Sequence, residues 1–417
     1  MNIAVFVFAY PVLSETFVIN ELYQLQQAGV NGSIWREKSA GGGIHPKVGL
    51  LEFPLFQCPE KITGSHFFQL LSLHFWWLRN YPGRYLRLLS EVLKFFPDIE
   101  SVKIFIKAVL PAKEVLEQKS TLVYVHESDR AYLFGLCAAR LNALPLFIIF
   151  HTYFLFVKKK YVLSKVRTAD GVIFQSEYSR VVVRQRIAAE DELRARLDNF
   201  FVVSSPGIDT KFFSPRSLLS RKSSNKENRQ MRIVSVGRLE EAKGFEFLLK
   251  AVRLLKDRGF DVTCQIVGEG SYRARLEHLR AKLALEREVL FLGSLAHSDR
   301  LQRVLHESEY FVLPSIEDSD GVHDVHPNAL KEAMSCGLIV VTTKLGGIDE
   351  VVLDGKNGFL VEHADEKEIT DLLQRISRFD TEKRSEVKRH ARATIVSEFG
   401  AREITRNLVK IFEKYAR

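Results

Sequence analysis

Cysteine is scarce in this chain and poorly placed for chemistry: Cys58, Cys137, Cys264 and Cys336 lie more than seventy positions apart. That spacing offers no CxxC pair, no clustered zinc site and no disulfide framework, and it suits a reducing cytosol. Long apolar runs are missing too. The longest, residues 143–157, is interrupted by Pro145 and His151 and falls short of the roughly 20 residues that cross a bilayer, so no span is expected. The opening residues, Met1 to Pro11, lack the basic flank and small-residue cleavage site of a signal peptide and read as a buried first strand. No repeat of solenoid or propeller length is evident.

What is present is globular material in quantity. The 417 residues, 46% hydrophobic and 27% charged, exceed one ordinary core and suit two domains of about 200 residues each. The net charge of +9 favours anionic partners, whether substrate, lipid surface or RNA, without choosing among them. No nucleic-acid-binding module accompanies the charge, so nucleic acid is not an expected partner.

Short β-branched or apolar runs (Ile3–Phe8, Leu122–Val125, Leu146–Phe150, Val172–Phe174, Phe201–Val203) alternate with longer segments of helical spacing. This is the pattern of a parallel sheet with crossover helices. It stops at a polar stretch, Ser217 to Gln230, and restarts with Arg232–Val236, Val262–Val267, Val289–Leu292, Tyr310–Leu313 and Ile339–Thr342. The expected fold is therefore α/β, with two tandem Rossmann-like doubly wound domains facing a central cleft. Residues 1–204 form the first domain, 205–230 a linker and 231–398 the second domain. Residues 399–417 form a C-terminal helix that could pack back on the first. Such sheets bind ligands beyond the C-terminal ends of their strands.

Two segments of the second half sit at such ends. Gly237-Arg238 follows a strand and Lys243-Gly244 opens a helix. A glycine there lets backbone approach a ligand, and the two cations can hold a diphosphate; an exposed turn with solvated Arg and Lys is the plainer alternative. Further on, Val312-Leu313-Pro314-Ser315 ends a strand, an acidic and histidine-containing loop follows, and Pro327 to Gly337 reads as a helix. Free N–H groups of Asn328 and Ala329 then lie at the crevice. Glu332 can reach a ribose, and Asp324 in the loop a sugar. Asp318-Ser319-Asp320 imitates a metal-binding DxD, but a loop of carboxylates is more often solvated, and no metal is expected.

Taken in order with Ser205-Pro206-Gly207-Ile208-Asp209, Gly268-Glu269-Gly270, Phe291-Leu292-Gly293-Ser294, Gly346-Gly347 and Asp354-Gly355-Lys356-Asn357-Gly358, these segments resemble the retaining family 4 glycosyltransferases of the GT-B fold. The resemblance covers nearly the whole second domain. It extends more loosely to the first, through Tyr10-Pro11-Val12-Leu13-Ser14-Glu15-Thr16-Phe17-Val18, His126 and His151. It implies that Arg238 and Lys243 contact the donor diphosphate, Glu332 the ribose and Asp324 the donor sugar, with Gly237 and Ser294 on the nucleotide side. It places Ser14 near donor phosphate and acceptor, and His151 near the transferred sugar or acceptor. One departure stands out. The family usually carries two glutamates at this spacing, whereas here the first is Asp324, one methylene shorter, so the loop must come closer or His323 or His326 must help.

Two stretches of the first half bear on membranes. Phe67 to Leu78, with Trp76-Trp77, Tyr81, Arg84, Tyr85 and Arg87, suits a membrane interface or a helical hairpin packed on its own domain. Tyr153 to Arg167, with Lys158-Lys159-Lys160, suits anionic lipid or a solvated helix face. The resemblance as a whole implies an enzyme that moves a sugar from a UDP- or GDP-linked donor to a hydroxyl of a glycan or lipid-linked acceptor, with retention and without a metal or other cofactor. It would work in the cytoplasm or on the inner face of the cytoplasmic membrane, in cell-surface polysaccharide synthesis. The alternatives are a non-catalytic GT-B-like scaffold that binds sugar nucleotide or lipid, and a sugar-nucleotide epimerase.

Overall fold

Strand runs buried on both faces need helices on both sides, and parallel strands need helical crossovers, so the alternation in this chain leads to two doubly wound sheets. The computed structural model describes residues 1–11, 16–39, 46–61, 64–126, 128–151, 161–188, 190, 193, 195–216, 230–295 and 298–416. It divides into two units, Met1–Pro206 with Ile404–Arg417, and Gly207–Glu403. Residues 207–216, expected in a linker, contribute Ile208 and Phe213 to the core of the second unit. The Lys158-Lys159-Lys160 stretch and Ser14 lie outside the described residues.

Unit 1 holds a seven-stranded parallel sheet in the order β3-β2-β1-β4-β5-β6-β7. Its strands are β1 (Asn2–Tyr10), β2 (Asn31–Ser39), β3 (Leu55–Gln57), β4 (Leu122–His126), β5 (Leu146–Phe150), β6 (Gly171–Phe174) and β7 (Phe200–Val202). The helices are α1 (Thr16–Gln27), α2 (Gly64–Asn80), α3 (Pro82–Phe95), α4 (Ile99–Glu117), α5 (Asp129–Asn142), α6 (Val162–Thr168) and α7 (Glu177–Arg186). Strand order reverses between β1 and β4, and a reversal of this kind opens a crevice at the C-terminal ends. His126 closes β4, and His151 follows β5 at the same edge.

Unit 2 has six parallel strands in the order β10-β9-β8-β11-β12-β13: β8 (Met231–Val236), β9 (Val262–Val267), β10 (Val289–Phe291), β11 (Tyr310–Leu313), β12 (Ile339–Thr343) and β13 (Phe359–Val361). Helices α8 (Phe245–Asp257), α9 (Arg273–Lys282), α10 (Asp299–Glu307), α11 (Asn328–Ser335), α12 (Glu366–Ser377) and α13 (Thr381–Glu398) cover it. Here the reversal falls between β8 and β11, so the Gly237 turn and the Pro314-Ser315 turn flank the crevice.

The last helix, α14 (Ala401–Tyr415), begins in unit 2 and ends in the core of unit 1. Phe412 is fully buried, edge-on to Tyr124 at 5.0 Å and to Phe147 at 5.4 Å between ring centroids, and Tyr415 Oη donates to Asn199 Oδ1 at 3.0 Å. Phe412→Ala is expected to destabilise unit 1 by roughly 3–5 kcal/mol, the usual cost of emptying a buried aromatic site. Denaturant unfolding checks this, with an unchanged midpoint as the contrary result.

Candidate functional site

Backbone contact at glycine builds the strand-end face of unit 2. Gly244 has φ +63°, and a Cβ there would stand 1.9 Å from the carbonyl oxygen of Pro314, so only glycine lets α8 start against the end of β11. Ile316 N–H donates to the Ala242 carbonyl at 2.9 Å and ties the two loops. Gly268 and Gly270 play the same part between the β9 and β8 loops, where added Cβ atoms would meet the backbone of Gly237 and Leu239. The Gly237–Leu239 turn is held by N–H bonds from Gly237 to Val267 and from Leu239 to Glu269.

This contact brings Lys243 to Asp324, residues 81 positions apart. Lys243 Nζ donates to Asp324 Oδ1 at 2.5 Å, and Ser315 Oγ donates to Asp324 Oδ2 at 2.6 Å. The Lys243 stem runs over Gly237, within 3.5–3.7 Å of where a Cβ would be. Behind the acid loop, Gly346 admits the ring of His323 and the carbonyl of Asp324. His323 Nδ1 lies 3.5 Å from Glu317 and His326 Nε2 3.4 Å from Glu350, so both imidazoles keep acidic neighbours of their own. The loop itself brings the shorter Asp324 side chain to the cation.

Glu332 lies in the middle of α11, with Asn328 and Ala329 at its first two positions, where N–H groups have no intrahelical acceptor. Burial pushes the Glu332 carboxyl up to about 7, opposed by the Lys331 ammonium, which burial in turn brings down to about 8. Arg238 stands apart. Its side chain is 64% exposed and donates to Glu240 Oε1 at 2.8 Å, an open pair worth little. Ser294 is exposed on the loop after β10. The Asp318 carboxylate accepts from the N–H groups of Asp320 and Val322 at 3.0 and 2.9 Å, which closes its own turn.

Unit 1 carries a second cluster. His126 Nδ1 and His151 Nε2 are 3.3 Å apart, and the rings stack 5.5 Å between centroids. On the far side His126 Nε2 is 3.0 Å from Glu21 Oε1, a carboxylate only 3% exposed that also accepts from Ser205 Oγ. Burial pushes the Glu21 carboxyl up, but His126, Ser205 and Tyr124 outweigh it and hold it below the usual range. His151 is driven down to about 3, first by burial and then by His126, and its ring meets Phe17 at 4.6 Å. A neutral imidazole at a strand end can exchange hydrogen bonds with a hydroxyl without carrying charge.

Residues 218–394 match the model of the family described as Glycosyl transferases group 1. Over that stretch the chain is similar to the group 1 glycosyltransferases. Among the relatives of this chain is the putative colanic acid biosynthesis glycosyltransferase WcaL of Salmonella typhimurium, 26% identical over 420 residues, or 99% of this chain and 100% of that one. The protein of the same name in Escherichia coli is 32% identical over 211 residues; the match covers 51% of this chain and only half, 50%, of the relative. The fold is GT-B. The Anabaena Alr3699/HepE structure in complex with UDP and glucose superposes with a TM-score of 0.69 at 18% identity over 99% of this chain and 100% of that one.

Two members of these clusters escaped the motifs. Glu21 is an acid on the buried stripe of α1 beside Val18, Leu22 and Leu25, and that misplaced charge was its only signal. Ser315 lies two residues past the end of β11 and carries no pattern of its own. The His151 shift has a consequence for stability. Below pH 6.5 the unfolded chain takes up a proton that the native imidazole refuses until about 3, so unit 1 loses stability as pH falls through that window. A His151→Asn variant of this protein is expected to lose less of its melting temperature between about pH 7 and pH 4 than the parent. Parallel losses in the two proteins would contradict the assignment.

Proposed function

We propose that this glycosyltransferase transfers a sugar from a UDP- or GDP-linked donor to a hydroxyl of a glycan or lipid-linked glycan, with retention of configuration and without a metal. The observation that carries the reading is the Lys243–Asp324–Ser315 cluster at the strand-order reversal of unit 2, with Glu332 on the adjoining helix. Lys243 is the cation for the leaving diphosphate. Asp324 takes donor sugar hydroxyls, Glu332 takes the ribose, and the N–H groups of Asn328 and Ala329 face the phosphates. Arg238 swings from Glu240 to add a second cation, with Gly237 and Ser294 lining the nucleotide. His151 and Ser14 serve the acceptor side.

Without a donor, Lys243 is neutralised by Asp324. Diphosphate binding exchanges that partner for the phosphate and releases the carboxylate to the sugar hydroxyls. The acceptor hydroxyl attacks from the face the diphosphate leaves, and a phosphate oxygen takes its proton, so no enzyme base is used. Catalysis is then positioning plus stabilisation of charge on the leaving group. The name of WcaL, a putative colanic acid biosynthesis glycosyltransferase, supports a cell-surface polysaccharide as the product. The proposed place of synthesis is the inner face of the cytoplasmic membrane.

Lys243→Ala is expected to lower turnover by about 10²–10³, the usual loss on deleting a preorganised charge stabiliser, measured as nucleotide release from UDP- and GDP-sugars with a membrane extract as acceptor source. Undiminished release would remove the clamp, and no release by the parent would favour a scaffold. Nucleotide affinity should rise as Glu332 ionises, between about pH 6 and pH 8, because only the carboxylate accepts both ribose hydroxyls. Calorimetric titration of the parent and of Glu332→Gln checks this: the variant should show the flatter profile, and equal slopes would take Glu332 off the ribose.

A further inference from the structure

Helix α2 is apolar on two sides, and only one of them is packed. Trp77 is buried and donates Nε1–H to the Val109 carbonyl at 3.2 Å, while His74 meets Tyr85 Oη at 2.7 Å and the Ile106 carbonyl at 3.0 Å. This face seats the helix on α3 and α4. The opposite face carries Phe68, Leu71, Phe75 and Leu78 at intervals of three, four and three residues, which align them along one stripe. They are 75%, 57%, 64% and 42% exposed, with Phe67 beside them at 54%. On α3, Leu86 and Leu93 are likewise more than half exposed. Folded chains rarely leave large apolar side chains contiguous in water unless another surface covers them.

Charge says what covers them. Arg79, Arg84, Arg87 and Lys94 lie on the same two helices against a single acid, Glu91, which is itself held by Arg140 at 2.9 Å. Arg84 donates to the Leu141 carbonyl at 3.2 Å and lies over the Tyr81 ring, and Lys94 lies over Phe95, contacts that leave the positive charge of the two helices in place. An apolar stripe on helices of net positive charge complements an anionic bilayer, whose headgroups take the charge while the aromatics enter the acyl boundary. Two copies of the same face would bring like charges together, which disfavours self-association. Among the described residues no helix is long and apolar enough to cross a membrane, so contact would be from one side.

We propose that the exposed face of α2, together with the basic positions of α3, docks this protein on an anionic lipid bilayer. The inference rests on the lipid-linked acceptor and membrane site proposed above and names the surface that meets it. The test is co-sedimentation of the full chain with phosphatidylcholine vesicles, with and without about one third phosphatidylglycerol. The parent should bind the anionic vesicles, more weakly as salt is raised. A Phe68→Ser, Phe75→Ser double variant should bind at least about tenfold less. An Arg84→Glu, Arg87→Glu variant should lose the preference for phosphatidylglycerol. Nucleotide release with a lipid-free glycan acceptor is followed in parallel, and both variants should keep the parental rate. That measurement separates failure of the transfer reading from failure of the docking surface. The proposal is overturned if the parent ignores anionic vesicles, if the double variant binds them as the parent does, or if light scattering shows a parental dimer that the double variant abolishes.

Discussion

The site in unit 2 depends on backbone packed against backbone at the ends of β8, β9 and β11. Four glycines, Gly244, Gly268, Gly270 and Gly346, sit where a Cβ would overlap a neighbouring main chain. Without them the loops could not close, and Lys243 could not reach Asp324 across the strand-order reversal. The side chains that meet here are few, but the steric permission for their meeting is written in residues that have no side chain.

Unit 1 solves a different problem by a related economy. Its strand ends place two imidazoles within hydrogen-bonding distance of each other, and such a pair tolerates little positive charge. The Glu21 carboxylate behind His126 absorbs the charge that the pair would otherwise repel, and His151 at the front stays neutral. Glu21 sits on an otherwise apolar helix face, stabilised only because His126, Ser205 and Tyr124 surround it. A buried carboxylate without such partners would cost far more than it returns.

How far the sequence could foresee this varied with the kind of interaction. Period and punctuation gave the alternating elements, and the Gly-Arg and Lys-Gly pairs lay at a strand end and a helix start as expected. Asp324 looked one methylene short for the role proposed for it because a sequence cannot show that Gly346 and Gly244 let its loop pack close to Lys243. Arg238 and Lys243 read as an equal pair of cations, yet the first faces solvent and Glu240 while the second is half-buried against the acid loop. Glu21 and Ser315 were illegible because each matters through a partner distant in sequence, Ser205 for the one and Asp324 for the other. The two-faced apolarity of α2 was visible as composition, but which side would be packed was decided by α3 and α4.

The path of α14 makes unit 1 discontinuous along the chain. Phe412 and its neighbours fill a space between strands and helices that are otherwise complete by Pro206. During synthesis the first sheet therefore waits, with an apolar gap beside Tyr124 and Phe147, while all of unit 2 is made. Its packing is completed only after the whole of unit 2 has been made, so a change in α14 is felt in a sheet whose strands were all made before unit 2.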